Sequence, residues 1–99
     1  MVCSNDELAL GVIQCFRQHN KNILDKIAIT GFDNTRMSLV ATPALTTVDI
    51  PEKKMGKKAA ELILYMINHP KLSSKSKYKR KFVYPAKIIK RESTKFQIV

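Results

Sequence analysis

Apolar residues recur along this chain in two rhythms. Ala9, Val12, Ile13 and Phe16 fall at i, i+3, i+4 and i+7, the spacing that gathers one face of a helix. Ser4 with Glu7 fits a capping box ahead of that face, and Asp6-Glu7 put negative charge near the helix N-terminus. His19-Asn20-Lys21-Asn22 ends it. Ile27-Ala28-Ile29 is a short β-branched run that predicts a buried strand over 27–31, broken at Gly31. One helical turn is expected near Arg36–Leu39, and Leu45-Thr46-Thr47-Val48 predicts a second strand over 45–49. Pro51 suits a helix's first position, where its missing N–H is not needed. Met55, Ala59, Leu62, Ile63 and Met66 then trace a second amphipathic helix, with Lys53, Lys54, Lys57 and Lys58 on its other side, until Pro70 stops it. Strand character returns at Phe82-Val83-Tyr84, and Ala86–Lys90 looks like a final strand. Met1–Cys3 reads as the last residues of another.

Strands alternating with helices argue for an α/β fold with a mostly parallel sheet. A free-standing doubly wound domain would need more strands, so these 99 residues read as a piece of a larger core. Charge is divided unevenly. Residues 1–50 carry four basic and five acidic side chains, whereas residues 51–99 carry fourteen and three. Lys71–Lys81, with six basic residues and no acid, concentrates the excess and reads as a surface loop. With no recognition-helix motif and no aromatic residues spaced to stack bases, a small basic nucleic-acid-binding module is a secondary reading. No apolar run approaches the roughly 20 residues of a membrane helix, and no membrane partner is expected. The start lacks the basic and apolar regions of a secretion signal. Cys3 and Cys15 lack metal-type spacing and are expected as reduced, partly buried thiols in a cytoplasmic protein.

Catalytic chemistry finds little footing. His19 and His69 fall at predicted helix ends, where a cation suits the helix dipole. There is no nucleophile elbow, no carboxylate pair at a working distance in sequence, no glycine-rich phosphate loop and no metal-ligand cluster. Neither cofactor, metal nor catalytic residue is expected. What remains is binding. Asn5 and Asp33 each follow a predicted strand end, and in an open α/β sheet the loops beyond the carboxyl ends of the strands meet ligands. Together an amide and a carboxylate can donate to and accept from a hydroxyl-bearing molecule. A helix cap at Asn5 and an Asx-turn at Asp33 would account for the same residues.

Five strings in order carry a resemblance over roughly residues 2–94. They are Ser4-Asn5-Asp6 with Ala9 and Gly11, Ile29-Thr30-Gly31-Phe32-Asp33-Asn34, Pro43-Ala44-Leu45-Thr46-Thr47-Val48, Met55-Gly56 with Ala59, and Ile88-Ile89-Lys90-Arg91-Glu92-Ser93-Thr94. The chain resembles the C-terminal part of the effector-binding core of the lactose/galactose-repressor family of bacterial transcription regulators. That resemblance implies a partial, Rossmann-like, two-lobed fold of the periplasmic-binding-protein kind. Residues 1–49 and 86–99 would belong to the C-terminal lobe and residues 50–85 to the N-terminal lobe. It implies that Asn5 and Asp33 reach an effector, a sugar or a nucleobase. It also implies a homodimer, for which Leu8, Leu10, Met37 and Val40 are the candidate contacts. DNA would be bound only through a helix-turn-helix that this sequence lacks. Where some members carry a polar ligand contact just after the crossing between lobes, this chain has Ile50. A sugar-binding receptor of the related transport systems would share the Asn-Asp and Gly-Phe-Asp strings, while the Leu-Thr-Thr-Val and Arg-Glu-Ser-Thr strings favour the regulator.

Overall fold

A computed structural model describes residues 1–71 and 81–95. The chain divides into two compact units, the first made of Met1–Ile50 with Ala86–Val99 and the second of Pro51–Pro85.

In the first unit, helix α1 spans Asp6–His19. Its apolar face behaves as its spacing requires. Ala9 and Ile13 are buried with Ile29 and Leu45, and Val12 and Phe16 pack against that cluster together with Cys3, Leu10, Leu24 and Ile27. The helix is capped by Asn5 rather than Ser4: the Asn5 Oδ1 accepts the Leu8 N–H at 2.9 Å, as an N-cap side chain should. A 3-10 turn over Lys21–Asp25 follows, then helix α2 over Arg36–Val40.

Ile27-Ala28-Ile29 is not a regular strand. Its end is nevertheless hydrogen-bonded to neighbouring segments. Ile29 donates its N–H to the Ser93 carbonyl at 3.1 Å, and Thr30 donates to the Met1 carbonyl at 3.0 Å while its own carbonyl accepts from Cys3 at 2.9 Å. Thr30 forms isolated parallel bridges to Val2 and Thr46. The regular ladder is antiparallel: strand β1, Thr47–Asp49, pairs with strand β2, Lys87–Ile89, in the register Thr47–Ile89, Val48–Ile88, Asp49–Lys87. Among the described residues, parallel pairing is confined to those two bridges.

Helix α3, Glu52–Asn68, forms the described body of the second unit. Pro51 serves as its N-cap, one position earlier than expected, and its carbonyl accepts from Met55 at 3.0 Å. At the other end the His69 Nδ1 donates to the Tyr65 carbonyl at 2.8 Å, closing one of the carbonyls a helix end leaves open, and the two rings stack at 4.1 Å. Lys58 places its ammonium 4.5 Å from the centre of the Phe82 ring. Phe82–Tyr84 carries no strand. Most of the lysine-rich run, residues 72–80, lies outside the described residues, as does the end of the tail, residues 96–99.

Candidate functional site: the Asn5 and Asp33 edge

Asp6 donates its N–H to the Phe32 carbonyl at 3.0 Å. Asn5 and Asp33 are therefore the residues that flank a single backbone hydrogen bond, one before its donor and one after its acceptor. Both are half-buried. The Asn5 Oδ1 is committed to the helix cap, which leaves its amide N–H₂ as a donor. The Asp33 carboxylate makes no hydrogen bond to any described residue, so the Asx-turn does not form. The Asp33 N–H donates to the Val48 carbonyl at 3.0 Å. Asp33 and Asn34 hold φ of 107° and 51°, positive values that side chains seldom adopt. Such backbone persists only where its surroundings fix it, and it concentrates at ligand-binding sites.

What fixes it is a polar network that the sequence reading did not assign. Asp6 is completely buried although it begins a helix. Its Oδ1 accepts from the Thr47 hydroxyl at 2.6 Å, and its Oδ2 accepts from the Thr35 N–H at 2.7 Å and the Thr35 hydroxyl at 3.0 Å. A buried carboxylate is tolerated on this condition, that donors replace its lost water. Thr47 in turn accepts the Asn34 N–H at 3.2 Å. The Asn34 side chain accepts from Arg91 Nη2 at 2.7 Å and donates to Asp49 Oδ1 at 3.3 Å. Arg91 Nη1 donates to the Ser38 hydroxyl at 2.7 Å and the Leu45 carbonyl at 3.0 Å. Buried Ser93 accepts from Thr46 N–H at 2.8 Å and donates to the Ile29 carbonyl at 2.6 Å.

Gly31 is fixed by crowding rather than by φ. A Cβ there would collide with Asp6 Oδ1 and lie 2.9 Å from Leu45 Cδ2 and 3.1 Å from Asp6 Cα. The Asn-Asp, Gly-Phe-Asp-Asn, Leu-Thr-Thr and Arg-Glu-Ser-Thr strings thus meet in one place, and most of their polar residues hold the loop rather than face a ligand. The available signal was their composition: Asp, Thr, Ser and Arg recur at the ends of apolar runs, where exposed side chains would have no reason to cluster.

The candidate dimer residues separate. Leu8, Met37 and Val40 are exposed on α1 and α2, at 57%, 58% and 68%, and Leu39 joins them at 63%, whereas Leu10 is half-buried against the core. Cys3 is half-buried and Cys15 exposed, and both are free. Among the described residues no three His, Cys, Asp or Glu side chains gather as metal ligands, and no helix is long and apolar enough to cross a membrane.

The periplasmic binding protein-like domain matches residues 1–94, and the chain belongs to that family. Its relatives are transcriptional repressors of the lactose/galactose-repressor kind rather than enzymes. The arabinose metabolism transcriptional repressor of Geobacillus stearothermophilus is 34% identical over 94 residues, which cover 95% of this chain and 25% of the repressor. A LacI family transcriptional regulator from Enterococcus faecium, solved with bound ribose, superposes with a TM-score of 0.77 at 32% identity over 94% of this chain and 33% of that one. The lac repressor dimer bound to operator and an anti-inducer shares the fold, with a TM-score of 0.75 at 23% identity over 95% of this chain and 31% of that one. The chain spans about a quarter of the length of the curated relatives it matches.

Proposed function

We propose that this chain is the effector-binding and dimerisation portion of a cytoplasmic, repressor-type transcription regulator. Its ligand is a small polar metabolite, a sugar in the first instance and a nucleobase as the alternative. The observation that carries this is Asp33: a half-buried carboxylate with no hydrogen-bond partner among the described residues, on backbone of φ 107°, next in sequence to Phe32, whose carbonyl is bonded to the residue after Asn5. A carboxylate so held accepts two hydroxyl donors, and the Asn5 amide donates to a third oxygen. The ribose bound by the 32%-identical regulator supports a sugar.

On this reading the first unit is part of a mostly parallel, Rossmann-like C-terminal lobe and the second is part of the N-terminal lobe. Leu8, Met37 and Val40, with the exposed part of Leu10, form the contact with a second copy. The dimeric lac repressor supports that assembly. Ligand would bias the dimer between forms that bind operator and forms that do not, a coupling between sites with no bond made or broken. Operator contact belongs to a helix-turn-helix that these residues do not include.

The test is a thermal-shift screen of the intact protein against pentoses, hexoses and purines, repeated with Asp33→Ala. A ligand that raises the melting temperature of the parent and not of the variant supports the site. An equal shift in both removes Asp33 from it.

A further inference from the structure

The loop that carries Asp33 is tied to the rest of its unit by the backbone bonds of Gly31, Phe32 and Asp33, by Thr35 on Asp6, and by the side chain of Asn34. Asn34 is half-buried and uses its backbone N–H and both ends of its amide: its N–H donates to Thr47 Oγ1, its Oδ1 accepts from Arg91 Nη2, and its Nδ2 donates to Asp49 Oδ1. Asp49 ends β1 and is paired in register with Lys87, the first residue of β2. The chain leaves the first unit one residue after Asp49 and re-enters it one residue before Lys87. The amide of Asn34 therefore ties the residue beside Asp33 to the place where both crossings occur.

We infer that Asn34 is the positioning residue of the ligand loop. It holds Asp33 in its positive-φ conformation and links the loop to the two crossing strands, without itself touching ligand. This rests on the reading of Asp33 given above. An amide is required because one end must accept from a guanidinium while the other donates to a carboxylate; no other side chain of that length does both. Aspartate at 34 would keep the Arg91 bond and set a carboxylate against Asp49. Asparagine at 49 would then restore a donor opposite an acceptor.

The experiment compares Asn34→Asp, Asp49→Asn, their double variant and Asp33→Asn in the intact protein, with two readouts. The first is hydrogen exchange of the Asp33 and Asn34 amides measured against the Ile13 amide in the core. The second is ribose titration by calorimetry. Asn34→Asp is expected to speed exchange at 33 and 34 by about tenfold while Ile13 is unchanged, since about one hydrogen bond's worth of local hold is lost. It should weaken ribose by a similar factor. The double variant should recover both to within about twofold, a rescue that a general loss of stability would not show. Unchanged exchange at 33 and 34 in Asn34→Asp overturns the inference, as does a double variant no better than Asn34→Asp. If Asn34→Asp changes exchange but ribose binds Asp33→Asn as it binds the parent, the positioning holds and it is the reading of Asp33 that fails.

Discussion

The two units of this chain put similar sequence patterns to different ends. In α1, a face spaced at helical intervals is buried: Ala9 is fully enclosed and Ile13 nearly so, closed over by Ile29 and Leu45. In α3 of these 99 residues, an equally regular face is mostly exposed, with Leu62 half-buried. None of its described residues is buried, and Met55, Ile63, Leu64, Met66 and Ile67 are all exposed. Periodicity states which side of a helix is able to bury itself. Whether it does so depends on what the chain brings to meet it, and helical stability in proteins comes mostly from that packing.

Substitutions in the two units should differ in cost, with stability followed by chemical denaturation. Ile29→Ala empties a site in the closed core and should cost roughly 2–5 kcal/mol. Gly31→Ala should cost roughly 1–3 kcal/mol, because the new methyl meets the Asp6 carboxylate and Leu45 with no room to yield. Ser93→Ala leaves the Thr46 N–H without its acceptor and the Ile29 carbonyl without this donor, and should cost about 1–2 kcal/mol. In the 99-residue chain taken alone, Ile63→Ala on α3 removes as many carbon atoms as Ile29→Ala and should change stability by no more than about 0.5 kcal/mol. Equal losses at Ile29 and Ile63 would erase the distinction between the two units.

The same contrast explains which features the sequence made legible. Both long helices, the short turn at Arg36–Val40, and strands near Thr47 and Lys87 follow from local spacing and turn chemistry. The Ile27–Ile29 run was legible as apolar, with Ile29 buried and Ile27 and Ala28 half-buried, but not as irregular. Burial answers to hydrophobicity, whereas a regular ladder needs neighbours in register, and Thr30 meets its neighbours at single bridges. The cap fell to Asn5 rather than Ser4 because the helix starts at Asp6, a one-residue shift that local patterns do not resolve. Asp6 was least legible. A carboxylate in a first helical turn suggests a solvated charge facing the dipole, and only the meeting of Thr35 and Thr47, 29 and 41 residues away, makes its complete burial sustainable. Asn5 and Asp33 were legible as candidates because both follow predicted strand ends, which the fold reduces to the single bridges at Val2 and Thr30. The network that holds them was spelled in the same strings but could not be assembled without the fold.

The Asp33 carboxylate, without a hydrogen-bond partner among the described residues, is proposed to meet a polar metabolite. Calorimetric titration of the intact protein and of Asp33→Asn with ribose tests it most directly, since asparagine also accepts positive φ and keeps the loop's shape. Asp33→Asn should lose roughly 10- to 100-fold in affinity with the melting temperature retained, the cost of losing hydrogen bonds to a charged acceptor. Equal affinity in the two proteins would contradict it.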